Sequence, residues 1–263
     1  MCGLLAGSGK TLDATKLATL GILNMSRGVD SCGIAYNDTL TNTIHVDKIA
    51  QHPAIAFNST LAPMLKCGSK TGAVIGHTRY ATTGGVTARN AHPFLMDHIV
   101  FAHNGIISNH TNFGKFEVDS ESLIFGILKE DFSEYKGSIA LVWLDKKTGY
   151  LRAYACGNPL YRGVADGSVY LASEKEMLEV IECKKIKEIA EGFIYSFQDG
   201  KCVNTLWVPK NTTYTPTIKS YANCVSNYPL WWDNVEEDMP SDSDKTFTVR
   251  LCTNCHDEPC MFA

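Results

Sequence analysis

A chain of 263 residues is long enough to bury a sizeable core, as one large domain or as a domain with an appendage. With 44% hydrophobic and 20% charged residues it has the composition of an ordinary soluble globular protein, and a formal net charge of -4 gives no electrostatic basis for binding nucleic acid or an anionic membrane. No apolar run has the length of a transmembrane helix and no signal-peptide pattern opens the chain, so a cytoplasmic protein is expected, with most of its ten scattered cysteines as free thiols.

Met1-Cys2-Gly3 comes first. Removal of Met1 would give Cys2 a free α-amine beside its thiol. An α-amine has an ordinary pKa of roughly 7.7–8.0 and a thiol about 8.5, so near neutral pH the amine can take the thiol proton without a histidine. A cysteine at such a position is more often a small packed residue, and its meaning depends on the residues downstream of it. Gly3 to Gly7 is an apolar run closed by Gly7-Ser8-Gly9, which predicts a buried strand. The spacing of Ala14, Leu17, Ala18, Leu20 and Ile22 predicts a helix over Leu12 to Met25, broken by the polar stretch Ser26 to Ser31. Gly33–Tyr36 and Thr43–Val46 read as strands joined through Asn37-Asp38, and Pro53 to Leu65 as a second helix.

Ala73 to Arg79 begins as an apolar strand and ends in polar residues, where a site can be built. His98 to His103 repeats the pattern and runs into Asn104-Gly105, a dipeptide suited to a turn. Asp119 or Ser120 is placed to cap a helix starting at Leu123-Ile124-Phe125. Strands are expected over Ile139–Leu144, Tyr150–Ala155, Val169–Ala172 and Phe193–Phe197, with turns at Asp145–Gly149 and Asp166-Gly167. Many strands joined by short turns argue for antiparallel sheets layered with helices.

Beyond Gly200 the texture changes, with prolines, the acidic run Glu236-Glu237-Asp238 and the cluster Tyr228-Pro229-Leu230-Trp231-Trp232. Aromatics of that size either pack back on a domain or dock on a partner. Cys252, Cys255 and Cys260, with His256 adjacent, form half of a zinc pattern that Cys224 or Cys202 would have to complete; free or redox-active thiols are the plainer alternative.

Three groups carry chemistry. Arg79 at a strand end has the shape to grip a carboxylate, with nearby threonine hydroxyls to help; a structural ion pair is the competing use. Asn104 with the Gly105 N–H offers the donors of an oxyanion hole. Asp119 can bind a substrate ammonium or cap its helix. Together they describe a free amino acid, its α-carboxylate on Arg79, its α-amine on Asp119 and a side-chain amide presented to Cys2.

Met1-Cys2-Gly3, Arg27 to Ser31, Gly76 to Gly84, Asn90-Ala91-His92-Pro93, His103 to His110 and Asp119-Ser120-Glu121 appear in the order found in the class II glutamine amidotransferases, which the chain resembles over about residues 2–200. The likeness is strongest to the glutaminase domain of glucosamine-6-phosphate synthase, with a further echo of amidophosphoribosyltransferase. The resemblance implies an α+β fold, the N-terminal nucleophile hydrolase architecture, a four-layer αββα sandwich of two antiparallel sheets flanked by helices. It makes Cys2 the nucleophile that forms a γ-glutamyl thioester from L-glutamine, Asn104 and Gly105 the oxyanion hole, Arg79 and Thr82 the carboxylate site, Asp119 the amine site and Arg27 part of the loop around the nucleophile. No cofactor is implied.

Two positions depart from the sugar-phosphate enzyme's pattern: Tyr80 stands for a tryptophan that gates ammonia there, and Thr83 for a histidine. The implied organisation is an amidotransferase domain over 2–200 and a C-terminal extension over 201–263, too short for an acceptor domain. Ammonia is therefore expected to pass to a separate synthase chain. Two other readings remain: hydrolysis of a different amide by an N-terminal cysteine, and a catalytically silent binding or regulatory relative.

Overall fold

The computed structural model describes residues 1–38, 41, 43–54, 71–210 and 247–250. Strand β1 (Gly3–Ser8) is buried at every position because it is covered on both faces. Leu4 and Ala6 point into one apolar layer and Leu5 into another, the period-two alternation of a strand. Its continuous apolar run is thus the pattern of a strand with no solvent face.

Helix α1 (Ala14–Leu23) follows. Asp13 caps it by accepting from the Thr15 N–H at 2.7 Å and the Lys16 N–H at 3.2 Å. Leu17 and Leu20 are buried beneath it while Ile22 is 49% exposed. The chain continues through β2 (Ser31–Asp38), β3 (Thr43–Ile49), β4 (Thr71–Arg79), β5 (Phe94–Met96) and β6 (Ile99–Ile107). A single 3-10 turn (Asp119–Ser122) leads into α2 (Leu123–Lys129). Then come β7 (Gly137–Asp145), β8 (Leu151–Cys156), β9 (Tyr161–Ala165), β10 (Ser168–Ala172), α3 (Lys175–Val180), β11 (Lys184–Glu188), β12 (Phe193–Gln198), β13 (Lys201–Trp207) and β14 (Phe247–Arg250).

The strands form two sheets, one ordered β11-β9-β10-β1-β4-β2-β3-β14 and the other β13-β12-β8-β7-β6-β5, with antiparallel pairing throughout. Leu4, Ala6, Ile75, Val100, Val142 and Phe197 fill the space between them. Leu5, Leu17, Leu20, Met177 and Leu178 join the larger sheet to α1 and α3. Phe101, Leu123, Ile127, Phe132, Trp143 and Tyr154 join the smaller sheet to α2. Helix, sheet, sheet, helix is the αββα sandwich expected from the sequence.

The expected strands all appear, most of them longer than expected, by as much as four residues at the end of β6. Five more, β5, β9, β11, β13 and β14, were not expected. β11 and β13 are exposed sheet edges, one rich in lysine, and so lack the alternation that marks a half-buried strand. The smaller sheet runs on past Gly200, because Asp199 and Gly200 both take positive φ and close a tight hairpin between β12 and β13. Beyond its first two residues, the helix expected over Pro53 to Leu65 lies outside the described residues, as do the Tyr228–Trp232 cluster, the acidic run and Cys224, Cys252, Cys255 and Cys260.

Ile75 is fully buried between the sheets. Ile75→Ala is expected to lower unfolding stability by about 2–5 kcal/mol, while Ile22→Ala, half exposed on α1, changes it by less than about 0.5 kcal/mol; urea unfolding of both variants checks the contrast.

Candidate active site

Register places Gly3 of β1 against Thr78 of β4, so Cys2 emerges beside the end of β4. Its thiol lies against the Tyr80 backbone, 3.3 Å from the N–H that donates to Sγ and 3.4 Å from the carbonyl oxygen. Its carbonyl oxygen accepts two hydrogen bonds, from Arg27 Nε at 2.7 Å and Asn104 Nδ2 at 2.8 Å. Gly3 leaves room for the Asn24 side chain beside this point: a Cβ there would sit 2.3 Å from Asn24 Oδ1. The far end of Arg27 is ion-paired to Glu174. Burial pushes the Cys2 thiol above its ordinary pKa, opposed by the Tyr80 N–H, the chain's N-terminal charge, Arg79 and Arg27.

Asn104 and Gly105 do not end a strand, as the sequence suggested. β6 runs straight through them, pairing Asn104 with Ala140 and Gly105 with Ile139 of β7. Gly105 has φ +141, and a Cβ there would be 1.9 Å from Ser138 O, so only glycine fits. The Asn104 side chain crosses from the smaller sheet to the larger one, giving its amide hydrogens to Cys2 O and, at 2.9 Å, to Ser173 Oγ. Ser173 also accepts the Leu4 N–H at 2.8 Å.

Arg79, at the end of β4, is 2% exposed. Its guanidinium donates to Gly85 O at 2.9 Å and to Thr83 O, holding the loop after β4. No carboxylate among the described residues forms an ion pair with it. Burial draws its pKa down, and Cys2, Asp30, Asp119 and Glu117 oppose that shift, which places those groups around it. Thr82 lies exposed on the same loop, and Tyr80 is 51% exposed. Asp119 is buried and is not a helix cap: its Oδ2 accepts the Ile107 N–H at 2.7 Å, tying it to the end of β6. Glu121 takes the capping position by accepting the Val118 N–H at 3.1 Å.

Three buried histidines lie behind the site. His77 donates Nε2–H to His103 O at 3.1 Å and its ring packs 4.1 Å from that of His92. His103 bonds Ser138 O through Nε2 at 3.2 Å and Ser120 Oγ through Nδ1 at 2.8 Å. Burial pulls His77 down to about 3, His92 well below its ordinary value and His103 downward, so these rings are neutral. Among the described residues none of them bonds the Cys2 thiol. No group of three or more His, Cys, Asp or Glu that could hold a metal occurs among the described residues.

Ser173, Glu174, Asn24 and Asn158 were not singled out from the sequence. Asn24 ties α1 to β1 through Leu20 O at 2.8 Å and Leu4 O at 3.3 Å. Ser173-Glu174 follows the buried strand β10, and the rule applied to Arg79, that polar side chains ending a buried strand build sites, would have marked it.

The sequence pattern of the class-II glutamine amidotransferases matches residues 1–140. The chain belongs to the class II glutamine amidotransferases. Glutamine--fructose-6-phosphate aminotransferase [isomerizing] from Bradyrhizobium diazoefficiens is 33% identical over 201 residues, covering 66% of this chain and 32% of that protein. The same enzyme from Pectobacterium atrosepticum is 28% identical over 201 residues, with the same coverage. This chain thus spans about a third of the length of the curated relatives it matches. Among solved structures, the glutamine phosphoribosylpyrophosphate amidotransferase from B. subtilis, complexed with ADP and GMP, superposes with a TM-score of 0.64 at 21% identity, covering 78% of this chain and 49% of that one. The sandwich is accordingly the N-terminal nucleophile hydrolase fold of these amidotransferases. No helix among the described residues is long and apolar enough to cross a membrane.

Ser173→Ala leaves the buried Leu4 N–H and one Asn104 amide hydrogen without their acceptor. It is expected to cost roughly 2–4 kcal/mol of stability, seen as a lowered thermal midpoint.

Proposed function

We propose that the domain hydrolyses the side-chain amide of L-glutamine to glutamate and ammonia, with Cys2 as nucleophile once Met1 has been removed. The observation that carries this reading is the meeting of Cys2, Arg27 and Asn104 at one carbonyl, in a chain of amidotransferase family. The freed Cys2 α-amine takes the thiol proton, and the thiolate attacks the amide carbon. Asn104 Nδ2 and the Gly105 N–H stabilise the oxyanion. Collapse breaks the C–N bond and expels ammonia, which takes its proton from the α-ammonium, leaving a γ-glutamyl thioester. The amine then draws a proton from water as it attacks the thioester, and glutamate leaves as the thiol is restored. Arg79 and Thr82 hold the substrate α-carboxylate and Asp119 its α-amine.

The engagement of the nearby imidazoles supports this assignment of the base, since His77 bonds His103 O, His103 bonds Ser138 O and Ser120 Oγ, and none of them bonds the Cys2 thiol among the described residues. The relatives' names describe transfer of nitrogen to fructose 6-phosphate or to a phosphoribosyl group. On this reading ammonia from Cys2 goes to an acceptor bound by a separate synthase chain, and Tyr80, whose backbone holds the Cys2 thiol, has its side chain half exposed.

Glutamate release from glutamine, measured on protein whose intact mass shows loss of Met1, tests the reaction. Cys2→Ala is expected to abolish it, and kcat/KM to rise through about pH 7–8 as the α-amine deprotonates. Retention of Met1 with no activity favours the silent relative, and turnover of other amides in preference to glutamine favours the alternative hydrolase. For the acceptor, tagged protein is expected to co-purify with a synthase that raises its glutaminase rate; full activity in isolation with no partner recovered overturns the subunit reading.

A further inference from the structure

We infer that Asn158 is a positioning residue for the oxyanion hole, acting through the peptide group that joins Asn104 to Gly105; this rests on the glutaminase reading above. Asn158 lies in the turn between β8 and β9, outside the groups assigned to substrate. Its side-chain Nδ2 donates to the Asn104 carbonyl oxygen at 2.9 Å. That oxygen and the Gly105 N–H belong to one planar amide and point in opposite directions. A donor fixed on the carbonyl side therefore sets the direction of the N–H on the other side.

The bond acts in two ways. Gly105, with φ +141 and no side chain, is the point in β6 where a peptide plane can swing most freely, and Asn158 opposes that rotation. A hydrogen bond accepted by the carbonyl also polarises the amide and strengthens its N–H as a donor, by roughly 10–30% in a cooperative chain. Asparagine suits the position because its primary amide donates without charge, whereas an aspartate would turn lone pairs toward the carbonyl.

The turn that carries Asn158 is itself held. The Gly157 N–H donates to Glu191 Oε1 at 2.8 Å, and Lys210 Nζ pairs with Glu191 Oε2 at 2.9 Å. Gly157 also bridges to Ile139, the residue paired with Gly105 across β6 and β7. The donor is thus anchored on the same short piece of sheet as the peptide it orients.

Asn158→Ala and the near-isosteric Asn158→Asp test this against wild type. Each is assayed for glutamine kcat and KM, for inhibition by L-glutamate, and for inhibition by the aldehyde analogue of glutamine, whose carbonyl adds the Cys2 S–H to give a tetrahedral hemithioacetal. The expected result is a fall in kcat/KM and in aldehyde affinity, together and by roughly three- to tenfold, part of what loss of a whole oxyanion donor costs. L-glutamate, whose planar carboxylate is no tetrahedral oxyanion, should lose much less affinity than the aldehyde. If kcat and aldehyde affinity stay at wild-type levels in both variants, the inference is overturned. It is equally overturned if both variants lose thermal stability and glutamate affinity instead, since Asn158 is then only a clamp on its turn. Wild type that releases no glutamate would fail the glutaminase reading itself, and the inference with it. Active wild type, inert Cys2→Ala and unimpaired Asn158 variants would fail the inference alone.

Discussion

The carbonyl oxygen of Cys2 is where the two sheets are locked together. Apolar contacts between β-sheets are non-directional and leave the relative position of the layers weakly specified. Across the interior the packing of Leu4, Ile75, Val100 and Val142 is of this kind. At the site end the larger sheet instead presents Cys2 O and Ser173 Oγ, and the smaller one reaches across with the Asn104 amide. His77 Nε2, on β4, meets His103 O, on β6, in the same seam. These are buried bonds whose loss leaves polar groups stranded, at about 1–3 kcal/mol each, so they set register far more sharply than apolar contact does. Cys2 is placed by the same bonds that align the layers.

Burial of the thiol and of the imidazoles is the electrostatic counterpart of that seam. Burial raises the thiol pKa and depresses those of all three imidazoles, so the site's charges are concentrated in Arg27, Arg79 and the acids near them. Arg27 is paired with Glu174, whereas Arg79, among the described residues, is hydrogen-bonded only to backbone carbonyls of its loop, with Asp30, Asp119 and Glu117 near it. Its guanidinium, close to Cys2 and in no ion pair among the described residues, has the chemistry of the proposed α-carboxylate site.

Strands β1, β4 and β7 are legible in the sequence because both of their faces are covered, so the apolar run is unbroken. The edges β11 and β13 are not, because exposed strands carry no burial pattern. Asn104-Gly105 was misplaced for an instructive reason. The dipeptide signals positive φ, and Gly105 does have it, yet at +141 within a paired strand instead of in a turn. The demand for glycine there is set by Ser138 on the neighbouring strand, which no local reading can supply. Cys2, Asn104, Arg79 and Asp119 stood out because their chemistry and order match a known family. Ser173 and Asn158 did not, since what they do depends on which backbone atoms the fold brings within 3 Å of them.

Both amide hydrogens of Asn104 are engaged, one by Cys2 O and one by Ser173 Oγ, so on the proposed reaction one bond must yield when the oxyanion forms. The surrounding pattern makes that exchange inexpensive. Cys2 O keeps the Arg27 Nε hydrogen bond, and Ser173 Oγ keeps the Leu4 N–H, so neither acceptor is left bare. On the proposed reaction the doubled acceptor at Cys2 would therefore have a use beyond stability, letting Asn104 turn to the reacting oxygen while β1 stays in place.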